Sequence, residues 1–425
     1  MGRFTGIIGI VVILGLAFLW SNNRKKINYR LVVTGLSLQV VLAIFILKVP
    51  LGQHIFLWLG KAINKLLDFS QQGGSFVFGD LTKVSQILPE GIVKSGIFLF
   101  ILLPTIIFVC VLVAIAYHIG LMQRFVAVIA RFVHWAMRVS GSEALSNVAS
   151  AFVGQVEAQI MIRPYLSGMT MSELLASMTG SMACIAGGVM AVYISMGVPA
   201  SYLLAASLMA APGALVISKI VFPETEESET KGKVTLDVKR EHAGIMDAIS
   251  HGASDGMKIS INVVAMLIGV IALIALIDAL LGYFGHFLAW TGLSLSSIGL
   301  NLDHLRLKDI VGSVFSLLAI VMGVPASESM HVGSLMGTKM VINEFVAYSD
   351  LSPMIHQGVL SAKSIVIASF ALCGFANFSS IAIQLGGIGV LVPHRKADLA
   401  KLGFKAMLCG TMASYISASL AGILL

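Results

Sequence analysis

The chain has 425 residues, of which 57% are apolar and only 12% charged, with a mean hydropathy of +0.93. Soluble domains carry about 25% charged residues, so this composition excludes a soluble enzyme or binding module and describes a polytopic helical membrane protein. The net charge of +7 suits cytoplasmic loops facing anionic lipid, and no basic run is interleaved with aromatics, which excludes nucleic-acid binding.

The first apolar stretch, Gly6–Trp20, lacks a small-residue cleavage site and runs into "SNNRKK". It reads as a retained helix rather than a signal peptide. About 20 apolar residues cross a bilayer, and runs of that kind lie near 5–21, 30–48, 93–118, 171–197, 200–222, 258–286, 361–391 and 402–424. Residues 53–70 place apolar side chains every three or four positions, with Lys61 and Lys65 on the other face. Residues 121–139 do the same, with Arg124, Arg131 and Arg138 on one stripe. Both patterns predict helices lying in the membrane interface. Residues 223–241, "PETEESETKGKVTLDVKRE", predict a flexible cytoplasmic loop. "NNRKK", the arginine helix, Lys231 to Arg240 and "PHRKADLAK" carry most of the basic residues. If all four are cytoplasmic, both termini face outward, and eight spans satisfy this. Cys110, Cys184, Cys373 and Cys409 lie in apolar stretches without CxxC spacing, so neither a disulfide framework nor a zinc site follows.

Two stretches, 142–165 and 327–350, are too polar to span and too apolar for ordinary loops. Each is long enough for two half-helices joined at a polar tip, which predicts re-entrant hairpins buried by protein or lining a wet cavity. Each follows a long span and an interfacial or apolar segment, and each precedes two spans. A unit with an odd number of crossings must insert its second copy upside down, and inverted repeats around a central site mark secondary transporters. The span after each hairpin is interrupted, by Gly187 and Gly188 in "ACIAGGVMAVY" and by Gly374, Asn377, Ser379 and Ser380 in "CGFANFSSIAIQLGG". Gln155, Glu157, Asn343, Glu344, Asn377 and Ser380 therefore converge at mid-membrane. Carboxylates and carboxamides together suit a neutral, hydroxyl-rich solute. The bland alternative is that each glutamate only bonds a backbone amide. A hydrolase lacks its motifs here, with no HExxH, no GxSxG and no Ser–His or Asp–Asp pair within the spans, so no enzyme is expected. A channel would need a continuous polar stripe, whereas the polarity is confined to tips and breaks.

"GQVEAQIMIRPYL" (154–166), "IAGGVMAVYISMGVPASYLLAASLMAAPGALVISKIVFPETE" (185–226), "NEFVAY" (343–348) and "ALCGFANFSSIAIQ" (371–384) resemble the concentrative nucleoside transporter family over nearly the whole chain. The resemblance implies an all-α fold of eight transmembrane helices, two re-entrant hairpins, interfacial helices and an inverted repeat. It implies a homotrimer of elevator-type symporters that import nucleosides, with no cofactor and H+ or Na+ as coupling ion. The alternatives are another polar solute or a passive facilitator. By the same resemblance, Gln155, Val156 and Glu157 contact the nucleobase and Val189 lines its pocket. Glu344, Asn377 and Ser380 contact the ribose, with Phe375 near the sugar. Val156 stands where the family commonly has Ser or Thr, and Gln159 where it often has Pro. A sodium site falls on Ser150, Val153, Cys184 and Ile185. It is weakened, because Asn and Ser are usual where Ser150 and Cys184 stand and a thiol is a poor ligand for hard Na+. The rival is a proton carried by Glu157 or Glu344. The expected domains are scaffold (1–118), first transport repeat (119–222), loop and scaffold helix (223–299) and second transport repeat (300–425). The expected location is a bacterial inner membrane.

Overall fold

The structure, a computed structural model, describes residues 5–82, 98–230, 243–291, 302 and 305–424. Helices make up all of the regular structure among them. Helix α1 (Thr5–Leu19) and α2 (Tyr29–Leu47) lead to α3 (Pro50–Phe78), which begins on a proline at its first position and exposes Lys61 and Lys65. A proline there costs no hydrogen bond, because that N–H has no helical partner anyway. Helix α4 (Phe98–His118) turns by 75° into α5 (Leu121–Met137). Helix α5 buries Val126, Ala130, Val133 and Met137, while Arg124 and Arg131 on its other face and Arg138, just past its end, are exposed. This is the arrangement expected of an interfacial helix.

The first hairpin consists of α6 (Gly141–Ser150), α7 (Glu157–Ile160) and α8 (Arg163–Leu166). Its second arm is thus two single-turn pieces instead of the one half-helix expected. The split span after it is α9 (Met171–Ala183) and α10 (Gly187–Ser195), followed by α11 (Ala200–Val221). Capping boxes fix both starts: Ser140 with Glu143 opens α6, and Thr170 with Glu173 opens α9. The second unit begins with α12 (Ile245–Trp290), whose 46 residues span roughly 70 Å at 1.5 Å per residue. That is far longer than the crossing expected over 258–286. Next come α13 (Leu307–Met322) and the hairpin α14 (Ser329–Val341) and α15 (Glu344–His356). The split span α16 (Ala362–Leu372) and α17 (Phe378–Leu391) follows, then α18 (Lys396–Leu424).

By length and composition, α2, the pair α9–α10, α11, the second half of α12, and α18 are each long and apolar enough to cross a membrane, and the bent α4–α5 pair passes the same test together. Helices α1, α16 and α17 are apolar but shorter. Helix α9 packs on α18 and α11 on α16, so each repeat supplies core to the other. The core lies there: 89% of the α11 span is buried, against 6% of the second half of α12.

Two of the expected basic clusters meet at one end. Asn22 N–H donates to Val221 O (2.9 Å), Lys405 to Asn22 Oδ1 (2.9 Å) and Arg395 to Met169 O (2.7 Å). The base of the first hairpin lies there too. The base of the second lies at the opposite end, where Ser361 N–H and Oγ donate to Glu328 Oε2 (3.0 and 2.9 Å). The expected loop is pinned at its start, where Glu224 accepts from Thr170 Oγ1 (2.8 Å) and from Lys219 (3.2 Å). Residues 231–241 of that loop lie outside the described residues.

Candidate functional site

The two breaks cross each other. Phe375 N–H donates to Cys184 O (3.3 Å). Gly374 has φ +115, and a Cβ there would lie 2.6 Å from Ala183 O. A side chain would be strained by the backbone and blocked by the neighbouring carbonyl, so glycine is what lets the unwound segments touch. Each break presents a helix C-terminus and a helix N-terminus, whose unpaired carbonyls and amides carry partial charge.

Asn377 caps α17: its Oδ1 accepts from Ser380 N–H (2.9 Å) and Ser379 Oγ (2.7 Å). Its other amide atom is thereby aimed at the second hairpin, where Nδ2 donates to Glu344 Oε2 (2.9 Å). Glu344, the first residue of α15, is 5% exposed. Its second oxygen accepts from the Tyr193 hydroxyl (3.0 Å). The structure thus joins Glu344, Asn377 and Ser380 in one hydrogen-bonded group. Tyr193 was not foreseen; one tyrosine in an apolar run gives no periodic signal. Its ring lies 4.4 Å from that of Tyr348 and 6.0 Å from Phe345, centroid to centroid, so the "NEFVAY" motif also supplies the packing that fixes Tyr193.

A cavity of about 760 Å³ opens on the other side of the breaks. The wall formed by the first hairpin and α10 carries Gly154, Glu157, Gly188 and Val189; the α4 and α12 wall carries Cys110 and Asp255. Glu157 starts α7, is exposed and folds its carboxylate back over Gly154. Val189 and Tyr193 are one turn apart on α10, hence on one helix face, which links the cavity to the Glu344 group.

Gln155 is 9% exposed, and its Oε1 has no hydrogen-bond partner among the described residues. Phe375 is half-buried at the crossing. Gln155, Val156, Glu344, Phe375, Asn377 and Ser380 are not in the cavity lining; the γ-carbons of Val156 face Gly387 on α17, where a Cβ would lie 2.6 Å from Cγ2 and 2.8 Å from Cγ1. Ser150, Val153, Cys184 and Ile185 are all buried. The Ser150 hydroxyl donates to Ser146 O (2.8 Å) and pairs with Ser181 Oγ (3.0 Å). The Cys184 thiol points at Ser207 O (3.7 Å). Gln159 joins the same network through Ser181 Oγ (2.7 Å) and Ser177 Oγ (2.6 Å).

Comparison with known proteins shows what the whole chain is similar to. Residues 202–422 match the model described as "Na+ dependent nucleoside transporter C-terminus", residues 8–81 its N-terminal counterpart, and residues 99–200 a model described as "Nucleoside recognition". The chain is 42% identical to the uncharacterized transporter YutK of Bacillus subtilis, with both chains covered in full. It is 37% identical to the nucleoside permease NupC of Helicobacter pylori, over 98% of this chain and 96% of that one. It is 39% identical to sodium/nucleoside cotransporter 2 of Rattus norvegicus, over 99% of this chain and 62% of that one. The solved structure of CNTnw in an inward-facing substrate-bound state superposes with a TM-score of 0.90 at 40% identity, over 100% of this chain and 98% of that chain. A variant of it in an outward-facing state gives 0.91 at 39% identity, with the same coverage.

Proposed function

Since the chain belongs to the concentrative nucleoside transporter family, and is a membrane transporter of nucleosides and not an enzyme, we propose that it is a symporter importing nucleosides across a bacterial inner membrane by an elevator movement, with a proton as the coupling ion. The observation that carries the substrate reading is the Glu344 group. Its carboxylate is held by two donors, Tyr193 and Asn377, at the crossing of two broken helices. Vicinal ribose hydroxyls are donors of the same kind and take the place of one or both. Gln155, buried with an unpaired carbonyl, is available to a nucleobase N–H; leaving such an acceptor unpaired costs about 1–3 kcal/mol. Glu157, Val189 and Phe375 complete the base and sugar surroundings.

The choice of proton over sodium rests on Ser150 and Cys184. One offers a hydroxyl already engaged with Ser146 and Ser181, the other a soft thiol, and Na+ selects hard oxygen. The carrier is one of the two hairpin carboxylates, Glu157 at the cavity or Glu344 at the crossing. The moving part is 119–222 with 300–425, working against a scaffold of 1–118 and 223–299. The apolar face of α12 (Ile271, Leu276, Leu280 and Phe287) is exposed and is covered by lipid or by neighbouring subunits of a homotrimer.

Uptake of labelled uridine and guanosine into proteoliposomes under imposed Na+ or pH gradients tests both parts. A pH gradient alone is expected to drive accumulation. Accumulation only with Na+ would replace the proton by sodium, and equilibration without accumulation would make the protein a facilitator. Glu344→Gln is expected to lower uptake by roughly tenfold or more, the effect of weakening charge-assisted hydrogen bonds, with expression unchanged.

A further inference from the structure

Lys339 has no part in the site described above, yet it is one of the most deeply buried cations of the chain, 1% exposed on α14. Its ammonium donates to Ala371 O (2.9 Å) and Cys373 O (3.4 Å) and lies 6.0 Å from the centroid of the Tyr415 ring. Those carbonyls form the C-terminal end of α16, at the break. The end is buried, so its orphan carbonyls need donors other than water. Tyr348 Oη donates to Ser369 O (2.8 Å), Lys339 to Ala371 O and Ser414 Oγ to Cys373 O (2.7 Å). Only the lysine brings charge, and it brings it to the negative end of a helix dipole. Five positions on, across the hairpin tip, Glu344 faces the positive end of α17 through Asn377. The second hairpin therefore brackets the break with a cation on one side and a carboxylate on the other.

The repeat gives this lysine a counterpart. Lys339 precedes Cys373, the residue capping α16, by the same interval that separates Ser150 from Cys184, the residue capping α9. Where the second repeat has an ammonium, the first has a small neutral hydroxyl. We propose that Lys339 is a positioning residue for nucleoside recognition: its ammonium is a tethered cation that holds the second break, and with it Asn377 and Glu344, in the binding geometry. In the first repeat the same place is left to a hydroxyl network. The proposal deepens the symporter reading, because it gives the second half-site a tethered cation on the same hairpin as Glu344.

Purified Lys339→Ala should melt below the wild type, and its KM for nucleoside uptake should rise by about tenfold or more. Methylammonium, which can refill the vacated cation position, should restore both; choline, too large for it, should restore neither, and the wild type should respond to neither. The melting measurement contains no nucleoside, so it judges the tethered cation even if the wild type accumulates nothing. Should the alanine variant not fold, Lys339→Arg and Lys339→Met decide: the charged variant keeps a near-normal KM and the neutral one of similar length does not. Equal KM values for those two variants, or an alanine variant that folds but is indifferent to methylammonium, would overturn the proposal.

Discussion

At the scale of residues, the polar atoms of the Glu344 group are committed before any solute arrives. Asn377 spends one amide atom capping α17, which leaves the other no choice but Glu344. This half was legible in sequence, because Asn and Ser in an apolar run have few reasons to be there. Tyr193 and Lys339 were not, since a tyrosine or a single lysine near a hairpin tip reads as packing or as interface. Val156 shows the limit differently. Its departure from the family pattern is visible in sequence, but its neighbour Gly387 is visible only in three dimensions. The two form a knob and its seat, and a Cβ at Gly387 would lie 2.6 Å from Val156 Cγ2. Gly387→Ala is therefore expected to displace the first hairpin tip and lower uptake, at an overpacking cost of about 1–3 kcal/mol. Val156→Ala in the same chain should recover most of that loss. Uptake measured on the two single variants and the double variant would show strong non-additivity; independent effects would mean that the residues do not share the seat.

At the scale of elements, each hairpin is tied down at its base by one acidic side chain, by different chemistry at the two ends. In the first, Glu143 of α6 pairs with Lys219 of α11 at 2.8 Å, with exposures of 3% and 5%. Lys219 also reaches Ser172 (2.9 Å) and Glu224 (3.2 Å). "PETE" was legible as a signature, but its role as the start of this clasp was hidden, because Lys219 reads as the polar end of a span. Lys219→Met leaves Glu143 buried and uncompensated and is expected to cost about 3–5 kcal/mol, read as a fall in melting temperature in detergent. Glu143→Gln added to it should return part of the loss. In the second hairpin, partial desolvation alone would raise the Glu328 carboxyl. Hydrogen bonds from Ser364 and Ser361, with His331 nearby, outweigh that and hold it below the ordinary carboxylate range. A carboxyl depressed on folding contributes stability above its unfolded pKa, about 4.3 for Glu, and loses it as pH falls through the lower folded value. Glu328→Gln should thus be less stable than the wild type near neutral pH. The gap should close as melting is repeated at progressively more acidic pH; a gap constant with pH would remove the charge from the explanation.

At the scale of the whole molecule, the repeat, the hairpins and the breaks were all readable, because each leaves a polarity signature that hydrocarbon does not forgive. The great length of α12 and the single-turn pieces of the first hairpin were not, because water-exposed helix and short irregular turns share the same polar composition. In sequence, a scaffold is set against two transport repeats, but the atoms that such an elevator would have to separate are visible only in three dimensions. Helices α4 and α12 are locked together: Cβ atoms at Gly252 and Gly256 would lie 2.8 Å from Cys110 O and 2.6 Å from Ile107 Cα. They form one stiff wall. The α10 side faces that wall across the cavity, and a Cβ at Gly188 would lie 3.9 Å from Cys110 Sγ, so a cysteine there can reach a disulfide after a small adjustment. If the repeats move past the α4–α12 wall, oxidised Gly188→Cys protein loses uptake while still binding nucleoside, and reduction restores transport. The reduced variant provides the reference, and the other native cysteines, Cys184, Cys373 and Cys409, are buried and do not compete. Uptake that persists when the cross-link is complete would mean that the nucleoside crosses without this movement. The elevator would then have to give way to local opening of the hairpins around a fixed site.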